Sequence, residues 1–221
     1  HLSVLELLLE GEKPPLLSSS LADDDVTLTA VQTNPDITVG DGIRIPKDAV
    51  LVERELAVAD GRLHHRITLE SFHLSDVLLT LRIALAADFV DIFEVRGYQR
   101  KARGERLPIE VSADGLTMSY MGLDDVLRRT VVRFSPPPTF IDADGATFVV
   151  TLAPHAAQVI DIVASGGIAE LVNGVAPDTK KAVARVRREN AHWDKTAMRV
   201  FTSSESVNAL IERAFADVRL L

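Results

Sequence analysis

Acidic side chains are the residues of this sequence best suited to chemistry, because two carboxylates held about 5–10 Å apart can hydrolyse a glycosidic bond. They form three clusters, at 23–25, at 124–125 and within 88–97. The first two have the composition of turns. The third follows a long apolar stretch and combines Asp88, Asp91 and Glu94 with aromatic residues and Arg96. It is therefore the segment whose side chains need an explanation.

Three interpretations of Asp88, Asp91, Glu94 and Arg96 stay open. Arginine pairs with a carboxylate through two parallel hydrogen bonds, so the segment can be a buried ion-pair corner in which Arg96 holds an acid. It can instead contact a sugar or another domain, or take part directly in catalysis. We treat the four residues as candidates for a substrate-cleft rim or a domain interface, and the sequence identifies no catalytic set.

Histidine and tryptophan offer two further kinds of site. Neighbouring residues of a strand point to opposite faces, so His64 and His65 cannot bind one metal from the same side. The sequence has no His-x-His or His-Glu-x-x-His motif and no glycine-rich phosphate loop, so we expect neither a metal nor a cofactor. The single tryptophan, Trp193, can stack on a sugar ring or anchor a hydrophobic core.

Short strands joined by tight turns must position these residues. Asp-Gly pairs, which suit the turns of β-hairpins, occur at 41–42, 60–61, 114–115 and 144–145. Apolar residues alternate with polar ones beside these pairs, and further strands are predicted at 3–9, 26–33, 77–87 and 157–163. The proline run at 136–138 predicts a corner where the chain leaves the sheet. The pattern indicates a mainly β fold, an antiparallel β-sandwich or a partly closed barrel, with a helical segment at the C-terminus.

The hydrophobic period changes after about residue 164, where Ser165-Gly166-Gly167 interrupts the strand pattern. Pro177-Asp178 predicts a helix start, and the basic residues that follow form either a solvated face or a linker that docks on an acidic surface of the chain. Thr202 to Glu205 match a capping box, and an apolar stripe with helical spacing follows from Val207. We predict a sandwich domain at 1–164, a linker with a short helix at 165–202, and at 203–221 the first helix of a truncated helical domain.

Charge and composition narrow the class of protein. The chain has 221 residues, with 24 Lys and Arg against 32 Asp and Glu, and a net charge of −8. Such a chain repels phosphate groups, so we expect no nucleic-acid partner and no membrane partner. No apolar run reaches the roughly 18 residues of a membrane span. Cysteine is absent, which excludes disulfides and thiolate zinc sites, and with no visible targeting segment we expect a cytoplasmic location.

Segment 88–97, Asp-Phe-Val-Asp-Ile-Phe-Glu-Val-Arg-Gly, resembles the signature segment of the N-terminal domain of bacterial amylo-α-1,6-glucosidases, relatives of the glycogen debranching enzymes. Other segments resemble the family in the same order along the chain: 16–20, 33–36, 61–69, 129–138 and 215–221. Val4 departs from the family pattern, in which arginine is common. The resemblance implies a supersandwich-like β domain packed against an (α/α)6 barrel, and it places the catalytic acid and base in that barrel.

The resemblance also implies the partners of the chain. It predicts a parent glycoside hydrolase that acts on an α-glucan or oligosaccharide, in which this chain braces the helical catalytic domain of the same polypeptide without being catalytic itself. Self-association through helix 204–221 is another way to cover the apolar stripe. A rival prediction is a stand-alone carbohydrate-binding module that uses Trp193, or Tyr98 and Tyr120.

Overall fold

The computed structural model describes residues 2–22, 24–39, 43–172, 174–198 and 200–219. These residues form strands and helices whose bounds are, in chain order, β1 (Leu2–Leu9), β2 (Leu16–Leu21), β3 (Leu28–Thr33), β4 (Ile37–Val39), β5 (Ile43–Ile45), β6 (Val50–Ala59), β7 (Arg62–Ser71), β8 (Val77–Ala87), α1 (Ile92–Val95), β9 (Glu105–Arg106), β10 (Glu110–Ser112), β11 (Gly115–Met121), β12 (Leu127–Ser135), β13 (Phe140–Asp142), β14 (Gly145–Leu152), β15 (Ala157–Ile168), a 3-10 turn (Ala169–Leu171), α2 (Thr179–Thr196) and α3 (Glu205–Arg219).

Most strands belong to two antiparallel sheets that pack face to face. The smaller sheet has the order β1-β8-β14-β13, and the larger has the order β10-β11-β12-β15-β7-β6-β3-β2, with β9 also paired to β11. Strands β4 and β5 form a separate ribbon. The predicted antiparallel β-sandwich is therefore confirmed, and the chain does not form a single closed barrel in the part that the structure describes.

The hydrophobic core lies between the two sheets. Every second residue of β8 is buried, as the alternating sequence predicts, and these residues share one cluster with Ile67 and Ile160 of the larger sheet. The rings of Phe134 and Phe148, one from each sheet, meet edge to face with their centroids 5.8 Å apart. Such contacts fix the sheets against each other and leave loops at the ends of the sandwich to form sites.

The Asp-Gly pairs lie at hairpins, but not all in the same way. Asp60 and Gly61 are the two central residues of the turn between β6 and β7, with φ values of +50° and +66°. Gly115 and Gly145 instead begin the strand after the turn. A Cβ atom at these positions would lie 2.1 Å and 2.0 Å from a carbonyl oxygen of the neighbouring strand, so close approach of the strands requires glycine there. The pair at 41–42 lies outside the described residues.

Strand β15 passes through the predicted interruption at 165–167. Gly166 and Gly167 pair with Thr130 and Arg129 of β12, and the strand ends only at Ile168. The prediction that the strand pattern stops here is wrong, because the hydrogen-bond ladder with β12 offsets the weak strand preference of glycine. The proline corner is confirmed, since β12 ends just before it and the chain enters the smaller sheet at β13.

Helix α2 packs on the outer face of the larger sheet. It begins after Asp178, whose carboxylate accepts a hydrogen bond of 3.0 Å from the Lys181 amide, so the predicted start is confirmed. Its own residues Ala182 and Val183 are buried, and Val183 packs in one cluster with Val26 and Ala57 of the sandwich. Its arginines pair with acids of the sandwich, Arg185 with Asp60 and Arg187 with Asp24. The sequence left open whether the basic residues form a solvated face or dock on an acidic surface of the chain. For Arg185 and Arg187, docking on an acidic surface is correct.

Helix α3 begins at Glu205, so the capping box predicted for Thr202 to Glu205 is wrong. Thr202 lies too far before the helix to cap it, and its amide and hydroxyl both donate to the side-chain oxygen of Asn208. No residue of α3 is buried among those described. None of the helices in the described part of the chain is long and apolar enough to cross a membrane.

Candidate functional site

Residues 88–104, here called the 88–104 loop, connect β8 to β9 and contain α1, a single helical turn with a cap at each end. Asp91 Oδ1 accepts hydrogen bonds from the amides of Phe93 and Glu94, at 2.8 Å and 2.9 Å, and the Glu94 carboxylate accepts one from the Asp91 amide. These bonds form a capping box. At the other end, the amide of Gly97 donates to the Glu94 carbonyl and that of Tyr98 to the Phe93 carbonyl, which is a Schellman motif.

Gly97 has a φ of +95°, and nothing lies within 4 Å of the position that a Cβ atom would take. Only conformational strain therefore opposes a larger residue. We expect Gly97→Ala to destabilise this turn by about 1 kcal/mol. Hydrogen–deuterium exchange should show faster exchange at the amides of residues 97 and 98. The amide of Gly104, which donates to the Tyr120 hydroxyl outside the loop, serves as the internal control, and equal acceleration there would contradict a local effect.

Two arginines hold the acids of this turn. Arg100 pairs with Asp91 and lies 3.5 Å from Glu94, and Arg103 lies 2.6 Å from the other oxygen of Glu94. Only 8% of the Glu94 side chain is exposed. The predicted ion-pair corner thus exists, but the expectation that Arg96 forms it is wrong. The Schellman motif reverses the chain, which brings Arg100 and Arg103 back to the acids and leaves Arg96 exposed at the end of α1.

Tyr120 holds both ends of the 88–104 loop. The ring of Phe89, whose φ of +54° is unusual for a residue other than glycine, stacks on the Tyr120 ring with centroids 5.3 Å apart. The Gly104 amide donates a hydrogen bond of 2.7 Å to the Tyr120 hydroxyl. Near the start of the loop, Asp88 accepts a hydrogen bond from the Val90 amide. Tyr120 is therefore a support for the loop, with one face of its ring already covered.

The supported loop borders a surface cleft of about 520 Å³, here called the loop cleft. Phe93, Tyr98 and Leu123 in this cleft are each about two-thirds exposed. Of the four predicted rim residues, Asp91 lines the cleft, whereas Asp88, Glu94 and Arg96 do not. The lining residues are Asp91, Phe93, Tyr98, Arg100, Lys101, Ala102 and Leu123.

Trp193 lies apart from this cleft, in a groove of about 590 Å³ between α2 and α3, here called the helix groove. The indole ring is half-buried, and the guanidinium carbon of Arg219 lies 5.8 Å from its centroid. Trp193 is thus outside the core cluster of the sandwich. The groove is lined by Asp24, Arg187, Asn190, Ala191, Trp193, Ala197, Met198, Val200, Phe201, Ile211, Glu212, Phe215, Ala216 and Arg219.

Asp24 and Asp25, expected from the sequence to be turn residues, have a further role that the sequence prediction did not include. Asp24 lies 2.6 Å from Arg187 of α2, and the buried carboxylate of Asp25 lies 2.5 Å from Arg213 of α3. Burial raises the pKa of Asp24, but the bond and charge of Arg187 outweigh it and hold that pKa below its usual value. The two acids thus attach both helices to the sandwich. The arginine-rich sequence of α2 was the signal available for this contact.

The family of the chain is shown by a family model described as the N-terminal domain of (some) glycogen debranching enzymes, which matches residues 1–163. A search of curated sequences found no match. Among solved structures, a protein assigned as a kojibiose phosphorylase from the human microbiome matches 98% of this chain with a TM-score of 0.51 and 12% identity. The match covers 27% of that protein, and at this identity it supports the fold alone.

An assigned aldose 1-epimerase from Escherichia coli K12 matches 71% of this chain and 69% of its own, at 8% identity, but its TM-score of 0.37 is too low to support an argument. The family match covers most of the chain and agrees with the two-sheet architecture described above. The chain therefore belongs to the family of N-terminal domains of glycogen debranching enzymes.

Proposed function

We propose that this chain is a non-catalytic domain that braces the helical catalytic domain of a glycogen-debranching-type glycoside hydrolase, with amylo-α-1,6-glucosidase activity in the parent polypeptide. The helix groove is the observation that carries this proposal. The family match supports the choice of parent enzyme. The cytoplasmic location stays a prediction from the sequence.

The helix groove has the character of a packing surface for other helices. Most of its lining is apolar, and Phe201 within it is 73% exposed. A 15-residue helix such as α3 is marginally stable in water unless its apolar face is covered, yet α3 has no buried residue among those described. Helices of a catalytic domain would supply apolar side chains for Ile211 and Phe215. A second copy of the chain is the rival occupant.

The electrostatics of the described acids support a structural role. A glycosidase needs a carboxylic acid whose pKa is raised so that it can donate a proton to the leaving group. In the described residues, each acid with a shifted pKa is shifted downward with an arginine as a cause, and these acids are Asp24, Asp124, Asp142 and Asp161. Such acids stay ionised at neutral pH and suit ion pairs better than proton donation.

The test of the non-catalytic role compares hydrolysis of α-1,6-linked glucan by the 221-residue chain and by the full product of its gene. We expect turnover only by the full product. Turnover by the 221-residue chain would overturn the proposal. A full product that binds glucan without hydrolysing it would support the rival function, a carbohydrate-binding module.

The bracing role is tested in the full product by Phe215→Asp, with Ala214→Asp as the matched control. Both variants add the same charge to α3, but only Phe215 lines the helix groove. A charge buried in an apolar interface is costly, so we expect Phe215→Asp to lower the melting temperature by several degrees and Ala214→Asp to have little effect. Equal effects of the two variants would contradict docking at the groove.

Light scattering on the 221-residue chain tests the rival occupant, a second copy of the chain. A dimer that Phe215→Asp dissociates would indicate self-association.

A further inference from the structure

The loop cleft differs in chemistry from the helix groove, with which it shares no lining residue. Two aromatic rings, those of Phe93 and Tyr98, lie at its surface beside the charged groups of Asp91, Arg100 and Lys101. An apolar protein surface placed on this cleft would remove these charged groups from water, which is unfavourable even for the paired Asp91 and Arg100. A ligand with apolar faces and hydroxyl edges would match both kinds of group.

The loop that carries the rings is held in place before any ligand binds. The capping box and the Schellman motif fix the two ends of α1. Arg100 and Arg103 form ion pairs with the acids of this turn. Tyr120 contacts both ends of the loop, through its ring and through its hydroxyl. A preformed site loses less conformational entropy when its ligand binds, so even a small cleft can have measurable affinity. This support distinguishes Phe93 and Tyr98 from exposed aromatic residues on unsupported loops.

We propose that the loop cleft binds glucosyl units of an α-glucan chain, with Tyr98 and Phe93 stacking on the sugar rings and Arg100 and Lys101 donating hydrogen bonds to hydroxyl oxygens. Asp91, which already pairs with Arg100, accepts a hydrogen bond from a sugar hydroxyl. The choice of an α-glucan rests on the proposed function, whereas the location and the stacking residues rest on the cleft itself. This cleft would hold substrate on the sandwich domain and supply no catalytic group.

The experiment titrates the 221-residue chain with maltoheptaose and follows binding by calorimetry and by the side-chain signals of Tyr98. We expect saturable binding that Tyr98→Ala weakens about tenfold or more, because it removes a stacking surface. Phe140→Ala is the matched control, since it removes a similarly exposed aromatic ring outside the cleft, and it should leave binding unchanged. Absence of saturable binding, or equal binding by Tyr98→Ala, would overturn the proposal.

Two further variants separate this proposal from the bracing role. Phe215→Asp should leave maltoheptaose binding intact, and Tyr98→Ala should leave the melting temperature of the full product intact. A loss of binding on Trp193→Ala, with Tyr98→Ala unaffected, would place sugar recognition in the helix groove and overturn the assignment. A fall in melting temperature on Tyr98→Ala, without maltoheptaose binding, would identify the cleft as a protein contact and overturn it equally.

Discussion

Replacing Asp161 by alanine should lower the free energy of unfolding by about 3–5 kcal/mol, the largest effect that we expect from one substitution. Asp161 of β15 and Arg66 of β7 form two parallel hydrogen bonds of 2.9 Å and 2.6 Å, and both side chains are buried beneath α2. Burial raises the pKa of Asp161, but Arg66 and Thr179, the first residue of α2, hold it below its usual value. Removal of the carboxylate leaves the Arg66 charge buried without its partner.

Asp142→Ala is the control for this prediction. Asp142 also forms a pair of two hydrogen bonds, with Arg82, but both side chains are about one-third exposed. Loss of this pair should therefore lower the free energy of unfolding by about 1 kcal/mol or less. Chemical denaturation of both variants provides the comparison. A double variant that replaces Arg66 and Asp161 by Met and Leu should recover much of the lost stability, because no unpaired charge remains. Equal losses for the two alanine variants would show that burial does not set the cost.

The second large effect is a loss of folding stability at acidic pH. Burial of His65 in the inner face of the larger sheet, together with the charge of Arg54, lowers the pKa of its imidazole to about 3. The neutral Nε2 atom accepts a hydrogen bond of 3.1 Å from Arg54. In the unfolded chain, the histidine pKa is about 6.5. Between these two values the unfolded state binds the extra proton, so stability must fall as the pH is lowered.

The slope is about 1.4 kcal/mol per pH unit for one histidine, so His65 should account for a loss of roughly 2 kcal/mol between pH 7.5 and pH 5. Burial and the charges of Arg185 and Arg62 lower the pKa of His64 as well, which adds to the loss. Acids with lowered pKa values add to the loss of folding stability only near pH 4 and below. His65→Gln, which keeps an acceptor for Arg54, should flatten the pH dependence measured by denaturation, whereas the exposed His155→Gln should not. An unchanged slope for His65→Gln would refute this assignment.

Local chemistry made much of the fold predictable from sequence. The alternation in β8, the turn at Asp60-Gly61 and the helix start at Asp178 each depend on residues within a few positions, and each was confirmed. The same logic could have found the capping box of Asp91 and Glu94, which has the required three-residue spacing.

The rest of the candidate site depends on contacts between distant parts of the chain. Phe89 meets Tyr120 only because β8 and β11 end on the same side of the sandwich, and no periodicity in either strand indicates that contact. Arg100 and Arg103 replace Arg96 for a similar reason, since the path of the loop after Gly97 decides which arginine returns to the acids. Residue type predicted an ion pair, and tertiary structure selected its members.

The position of β15 in the larger sheet has a consequence for the order of folding. Strands β2, β3, β6 and β7 are neighbours on one side of it, and β10, β11 and β12 are neighbours on the other. Each group can form early from nearby segments, but each then has an open edge until β15 is available. The pair of Arg66 and Asp161, 95 residues apart, forms only when that last strand arrives. During synthesis on the ribosome, the two half-sheets therefore cannot join into one sheet before β15 has been made. Helix α2, which follows β15 in the chain, then docks on the completed sheet.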